Sequence, residues 1–142
     1  MPDIDANVGL FTRQLAVRLR NVERSLCVEP EPGNFGALQY NVAQQGDRVR
    51  LWNLALSDHD GDTRRFRDAG NFGNYSLNED AMRGRTYDVV PIHCAATDRW
   101  MREHLQLAAD ERLIWKSDTL GYDEFIISHT HRWRFGTASM WR

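Results

Sequence analysis

Apolar and polar positions recur with two different periods along this chain, and each change of period marks the end of an element. From about residue 8 to residue 19, Leu10, Phe11, Leu15, Val17 and Leu19 fall among Arg13, Gln14, Arg18 and Arg20, the stripe of an amphipathic helix. "SLCVEP" then predicts a short buried strand, stopped by a proline that has no N–H for a ladder. "PGNFGALQYNVAQQ" predicts a second helix with Phe35, Leu38 and Val42 on one face, closed by "QGD". "VRLWNLALS" alternates through Val49, Leu51 and Leu54 to Leu56, which predicts a third strand. After the turn cluster "SDHDGD", the polar, glycine-rich "DTRRFRDAGNFGNYSLNED" predicts a hairpin arm followed by a loop. "TYDVVPIHCAA" is extended again. "TDRWMREHLQLAA" predicts a helix with Thr97 as its N-cap, carrying Trp100, Met101, His104, Leu105 and Leu107, and "RLIWKSD" a short buried strand ending in charge.

Strands that alternate with helices of this length imply βαβ units. The expected fold is therefore α/β, a Rossmann-like, doubly wound and mostly parallel sheet with helices on both faces and a ligand crevice at the carboxyl ends of its strands. A chain of 142 residues without repeats suits one domain and one core. The core is expected over about 1–128, with an atypical tail over 129–142. Only Met1 to Ile4 are available for a first strand, and Pro2 lies inside it. After Glu124 no strand or helix period continues, so the sheet is expected to lack its terminal strands.

Composition narrows the function classes. Lys and Arg number 18 against 20 Asp and Glu, a net charge of −2 that calls for no polyanion partner. No apolar run approaches the roughly 18 residues of a membrane helix, and no basic segment followed by an apolar one opens the chain, so a cytoplasmic protein without membrane attachment is expected. Cys27 and Cys94 sit in apolar strand-like runs and are expected to be small buried thiols, not a disulfide framework. The five histidines form no helix-spaced pair with a cysteine or carboxylate, so no metal site is expected.

Two short stretches carry candidate chemistry. "DIDANVGLFT", starting at Asp3, has the strand, tight turn and helix layout in which backbone N–H groups approach a ligand. Its crest holds Asp5, Ala6 and Asn7 where such turns favour glycine, and Gly9 follows. Glu29 ends the second strand about 20 residues later, where a carboxylate accepts hydrogen bonds from both hydroxyls of a ribose. Together these point to an adenosine-containing ligand. An acidic crest repels a pyrophosphate but not a sulfonium and an ammonium, so charge favours S-adenosylmethionine over a nicotinamide dinucleotide. A plain strand-to-helix turn is the simpler alternative. In "IWKSD", Lys116 and Asp118 fall on one side of a strand, so opposite charges emerge together at the crevice edge. Such a pair orients a methyl acceptor or removes its proton, or else merely caps the strand end.

The order "DIDANVGLFT", "VEPEPGNFGALQYNV", "VRLWNLALSDHDGD", "GNFGNYSL" and "IWKSDTLGYDE" closely resembles the FkbM-type S-adenosylmethionine-dependent methyltransferases, whose pattern runs roughly D-x-G-A-N-x-G, E-P, N-x-A-L and K-x-D-x-E/Q-G-x-D/E. The resemblance spans most of the chain, to about Glu124. It implies a class I methyltransferase-like fold and methyl transfer to an oxygen of a small-molecule acceptor such as a sugar or polyketide. By position it implies that Asp3, Asn7 and Gly9 form the cofactor turn around the methionine end, with Asp5 and Ala6 in its crest, and that Glu29 holds the ribose. It further implies that Asn53 and Ala55 approach the adenine, that Asn74 and Ser76 belong to a loop covering cofactor or acceptor, and that Lys116 and Asp118 sit beside the transferred methyl. Asp5 replaces the family's first glycine, and Leu120 stands where the family has Glu or Gln. If the crest needs positive φ, a side chain at Asp5 costs on the order of 1–2 kcal/mol, although Asp tolerates that region better than most residues. A catalytically silent adenosyl-binding or scaffold relative is the alternative function. In the tail, "HRWRF" alternates Arg132 and Arg134 with Trp133 and Phe135, suited to stacking on bases, but edge packing is the plainer role and no nucleic acid is expected. Trp133, Phe135, Met140 and Trp141 on a bare sheet edge would favour association between copies.

Overall fold

Ser25, Leu26, Cys27 and Val28 are buried at every position, the signature of a strand covered on both faces, and the architecture is built outward from them. The computed structural model describes residues 1–19, 22–69, 75–106, 113–119 and 122–128. In chain order they form β1 (Pro2–Ile4), α1 (Leu10–Arg18), β2 (Ser25–Val28), α2 (Pro32–Val42), β3 (Val49–Trp52), β4 (Ala55–Ser57), β5 (Gly61–Asp68), β6 (Tyr75–Ser76), β7 (Tyr87–Ala96), α3 (Thr97–His104), β8 (Lys116–Ser117) and α4 (Asp123–Ser128). Short 3-10 segments at Ala43–Arg48, kinked at Gly46, and at Glu79–Met82 join them.

The chain is α/β, with two sheets instead of the single one expected. One is parallel, in the order β3–β2–β1–β8, and the other is mixed, in the order β4–β7–β5–β6. In the mixed sheet β4 runs parallel to β7, while β5 is antiparallel to both β7 and β6. The departure begins at Asn53, which divides the predicted third strand. Its Nδ2 donates to the carbonyls of Glu29 (2.8 Å) and Pro30 (3.1 Å), so β3 ends where β2 ends and the chain leaves one sheet for the other. Pro2 is tolerated in the interior strand β1 because β8 stands opposite Asp3 and Ile4, one residue further on.

Strand alternation sends neighbouring residues to opposite faces. Asp3 and Cys27 face α1, where the Thr12 hydroxyl lies 3.2 Å from Cys27 Sγ, and Cys27 also packs with Ala6, Leu38 and Val42. Ile4, Leu26 and Val28 face the other way, onto Trp100, Met101, Leu105 and Ile126, with Trp52 edge-on to Trp100 at 5.1 Å. Helices therefore cover both faces. Thr97 is not the N-cap of α3: Ala96 holds that position, and the Thr97 hydroxyl donates to the Ser57 carbonyl at 3.0 Å, tying α3 to β4. Both cysteines are buried free thiols, with burial pushing Cys27 up to about 12 and Cys94 up to about 11. No helix among the described residues is long and apolar enough to cross a membrane. The tail 129–142 with its aromatic residues, Leu107 and Leu120 lie outside the described residues.

Candidate functional site

The turn from β1 to α1 takes three left-handed residues in five positions, Asp5 (φ 59°), Asn7 (φ 52°) and Gly9 (φ 78°). At Gly9 a larger residue is disfavoured, because a Cβ would stand 2.5 Å from Leu38 Cδ1 and force it to shift, as well as strain the backbone. Asp and Asn are the side chains that tolerate this region best. The turn's N–H groups are used internally. Ala6 N donates to the Val28 carbonyl, Asn7 N to Glu29 Oε2, Val8 N to Asn7 Oδ1 and Gly9 N to the Ala6 carbonyl, all at 2.8–3.0 Å. A pyrophosphate needs such donors pointing outward, so this turn is unsuited to one for a reason beyond charge.

Asp5 is not a bare negative charge. Its carboxylate forms an ion pair with Arg65 of β5, whose guanidinium also lies 3.5 Å from Glu29 Oε1 and stacks 4.7 Å from the centre of the Tyr75 ring. Side-chain exposure is 4% for Arg65, 12% for Asp5 and 0% for Glu29, so three ionisable groups share a nearly dry site. Glu29 links two turns: Oε2 accepts from Asn7 N, and Oε1 from Glu31 N at 2.9 Å. Burial above all, and then the Asp5 carboxylate, push Glu29 up to about 8, against the pull of Arg65 and the Glu31 N–H. Oε2 keeps a second lone pair, and Oε1 would regain one only if Arg65 withdrew, so a ribose hydroxyl would share these acceptors with the backbone.

Lys116 turns inward. Its Nζ lies 3.0 Å from Asp3 Oδ1 and donates to the Asp5 carbonyl at 2.8 Å, while Asp118 is 4.0 Å away and 82% exposed. The expected pair is thus a loose one, and the main partner of Lys116 is Asp3. That carboxylate is fully buried and also accepts from the Thr12 hydroxyl. Lys116→Met strands the Asp3 charge with one remaining donor, and is expected to lower stability by about 1.5–3 kcal/mol in chemical denaturation. Asp118→Asn, on an exposed carboxylate, is expected to leave the midpoint unchanged.

A cleft of about 320 Å³, counted with its open mouth, lies at the carboxyl ends of β1 and β2, beside the first residues of β4, and Ile4, Asp5, Val28, Ala55, Arg65 and Tyr122 are among its lining residues. Ser76 also lines it, and Ser76 Oγ accepts from Asn78 N at 2.9 Å. Asn53 sits behind it, holding the end of β2, and Asn74 lies outside the described residues. The structure thus brings Asp3, Asp5, Asn7, Glu29 and Lys116 into one hydrogen-bonded group, with Ala55 and Ser76 across the cleft. Sequence reasoning missed Arg65, one of three arginines in "TRRFR" that look alike until β5 pairs with β7 and turns Arg65 inward. No family model, no curated protein and no solved structure matches the chain.

Proposed function

We propose that the chain binds S-adenosylmethionine in this cleft and transfers its methyl group to an oxygen of a small acceptor, such as a sugar or a polyketide, on a Rossmann-like doubly wound scaffold. The observation that carries this reading is an acidic strand-to-helix turn whose own N–H groups are consumed, set over a largely apolar cleft. Such a site suits a ligand with an apolar purine and positive charge better than a phosphate ester. The residues fit that ligand on one condition: Arg65 has to yield part of its hold on Asp5 and Glu29.

S-adenosylmethionine supplies an electrophilic methyl on a positive sulfur. Glu29 accepts from the ribose hydroxyls, and Lys116, fixed by Asp3 and by the Asp5 carbonyl, keeps the turn in shape beneath the methionine end. Asp118, exposed beside Lys116, would take the proton of the acceptor hydroxyl while the methyl group passes from sulfur to that oxygen and S-adenosylhomocysteine is left. Most of the rate comes from holding the two reactants in line.

Titration calorimetry of the folded chain with S-adenosylhomocysteine tests the reading. Dissociation constants in the micromolar range, weakened at least about tenfold by Glu29→Gln, are expected. The seating of Arg65 on both acidic groups favours a second reading, a silent scaffold whose cleft is closed from within. Absence of binding by a folded, monodisperse chain would establish that one and overturn the first.

A further inference from the structure

We infer that Asp5 and Arg65 together form the seat of a zwitterionic α-amino-acid head group, which parts the pair by offering its ammonium to Asp5 and its carboxylate to Arg65. This rests on the cofactor reading and specifies which side chains receive the charged groups of that ligand's amino-acid end. Both side chains line the cleft and both are nearly buried, so neither charge finds water when the pair opens. A ligand with one charge would satisfy one partner and strand the other, and a stranded buried charge is strongly unfavourable. A group bearing both signs on one carbon exchanges partners without leaving either bare.

The surroundings suit this exchange. The Tyr75 ring under the guanidinium gives Arg65 a surface to slide on while it keeps a favourable contact. Its second link, 3.5 Å to Glu29 Oε1, is already long and costs little to release. Release also frees the Glu29 oxygen on the side where a ribose hydroxyl would arrive. Seating the head group therefore prepares the nucleoside end, and the two halves of the ligand bind with positive coupling.

The test compares three ligands on the intact chain by calorimetry: S-adenosylhomocysteine, the same thioether lacking its carboxylate, and methylthioadenosine, which lacks the whole head group. Loss of the carboxylate is expected to weaken binding by about 10- to 100-fold, and loss of the head group by at least as much. In Arg65→Lys, which keeps the charge but loses the planar fork, the ratio between the first two ligands is expected to shrink. Equal affinities for the first two ligands in the unaltered chain would overturn the seat and leave the cofactor reading standing. An unchanged ratio in folded Arg65→Lys would overturn the part assigned to Arg65. Failure of all three to bind the folded chain would overturn the cofactor reading, and the seat with it.

Discussion

Arg65→Met is expected to lower the unfolding free energy by about 3–5 kcal/mol at neutral pH, read from urea denaturation. Methionine fills much of the same volume and keeps contact with Tyr75, so the loss reports charge more than packing. The Asp5 carboxylate would be left without its cation, beside Glu29, in a site that excludes water. A domain of this size has a total stability of about 5–15 kcal/mol, so the variant should fold but with little reserve. Arg65→Lys should lose less, because the charge remains. Combining Arg65→Met with Asp5→Asn should recover part of the loss, since the stranded charge is removed with its partner. A loss well below 1 kcal/mol in Arg65→Met would mean that the three groups are solvated in solution and that the cleft is wet.

The same trio marks where reading the chain by pattern succeeds and where it stops. α1 forms where its stripe predicts it, but Thr12 is its buried residue and Leu10, Phe11 and Val17 are exposed. Periodicity located β2 and α2 because each buries a face, and in β2 every residue is covered. It located the turn because left-handed backbone at Gly9 leaves a local trace in residue choice. It did not separate β3 from β4, since the break is made by the Asn53 side chain bonding to carbonyls more than twenty residues earlier. Nor did it foresee the mixed sheet, whose antiparallel arms β5 and β7 lie across a long excursion and are fixed by register, not by local preference. Thr97 carried the sign of a cap, yet its hydroxyl was drawn to the Ser57 carbonyl by the packing of α3 on β4. At the site, Asp5, Glu29 and Lys116 were legible as charges out of place in a tight turn and at strand ends. Their partners were not: Arg65 comes from the other sheet, and Asp3 meets Lys116 across 113 residues of sequence. A single charge can be recognised locally, whereas the group that balances it is chosen by topology.

Glu29 makes the stability of this chain fall as pH rises, the opposite of the trend most carboxylates impose. Its folded value is pushed up to about 8 from an ordinary 4.5, so between those limits the folded chain holds a proton that the unfolded chain has released. The stabilisation is fully present below about 4.5 and is lost as pH climbs through about 8, with a slope that cannot exceed about 1.4 kcal/mol per pH unit. Denaturation midpoints from pH 5 to 9 should show it, on conditions of roughly constant salt so that surface pairs contribute little change. Asp5→Asn should move the upper end of the window down, because the Asp5 charge is the second cause of the shift after burial. Glu29→Gln should flatten the dependence, at the cost of one acceptor: an amide nitrogen cannot receive the N–H of Asn7 or Glu31. A flat profile in the unaltered chain would mean that Arg65 and the two backbone donors outweigh burial and keep Glu29 ionised throughout. Ligand binding should run the other way. A carboxylate accepts from both ribose hydroxyls, whereas the neutral acid surrenders one acceptor to its own proton, so affinity for S-adenosylhomocysteine should rise toward pH 8 as stability declines. Opposite trends arising from one side chain, both removed by Glu29→Gln, would tie the buried carboxylate to the cleft; parallel trends would confine it to holding the two turns together.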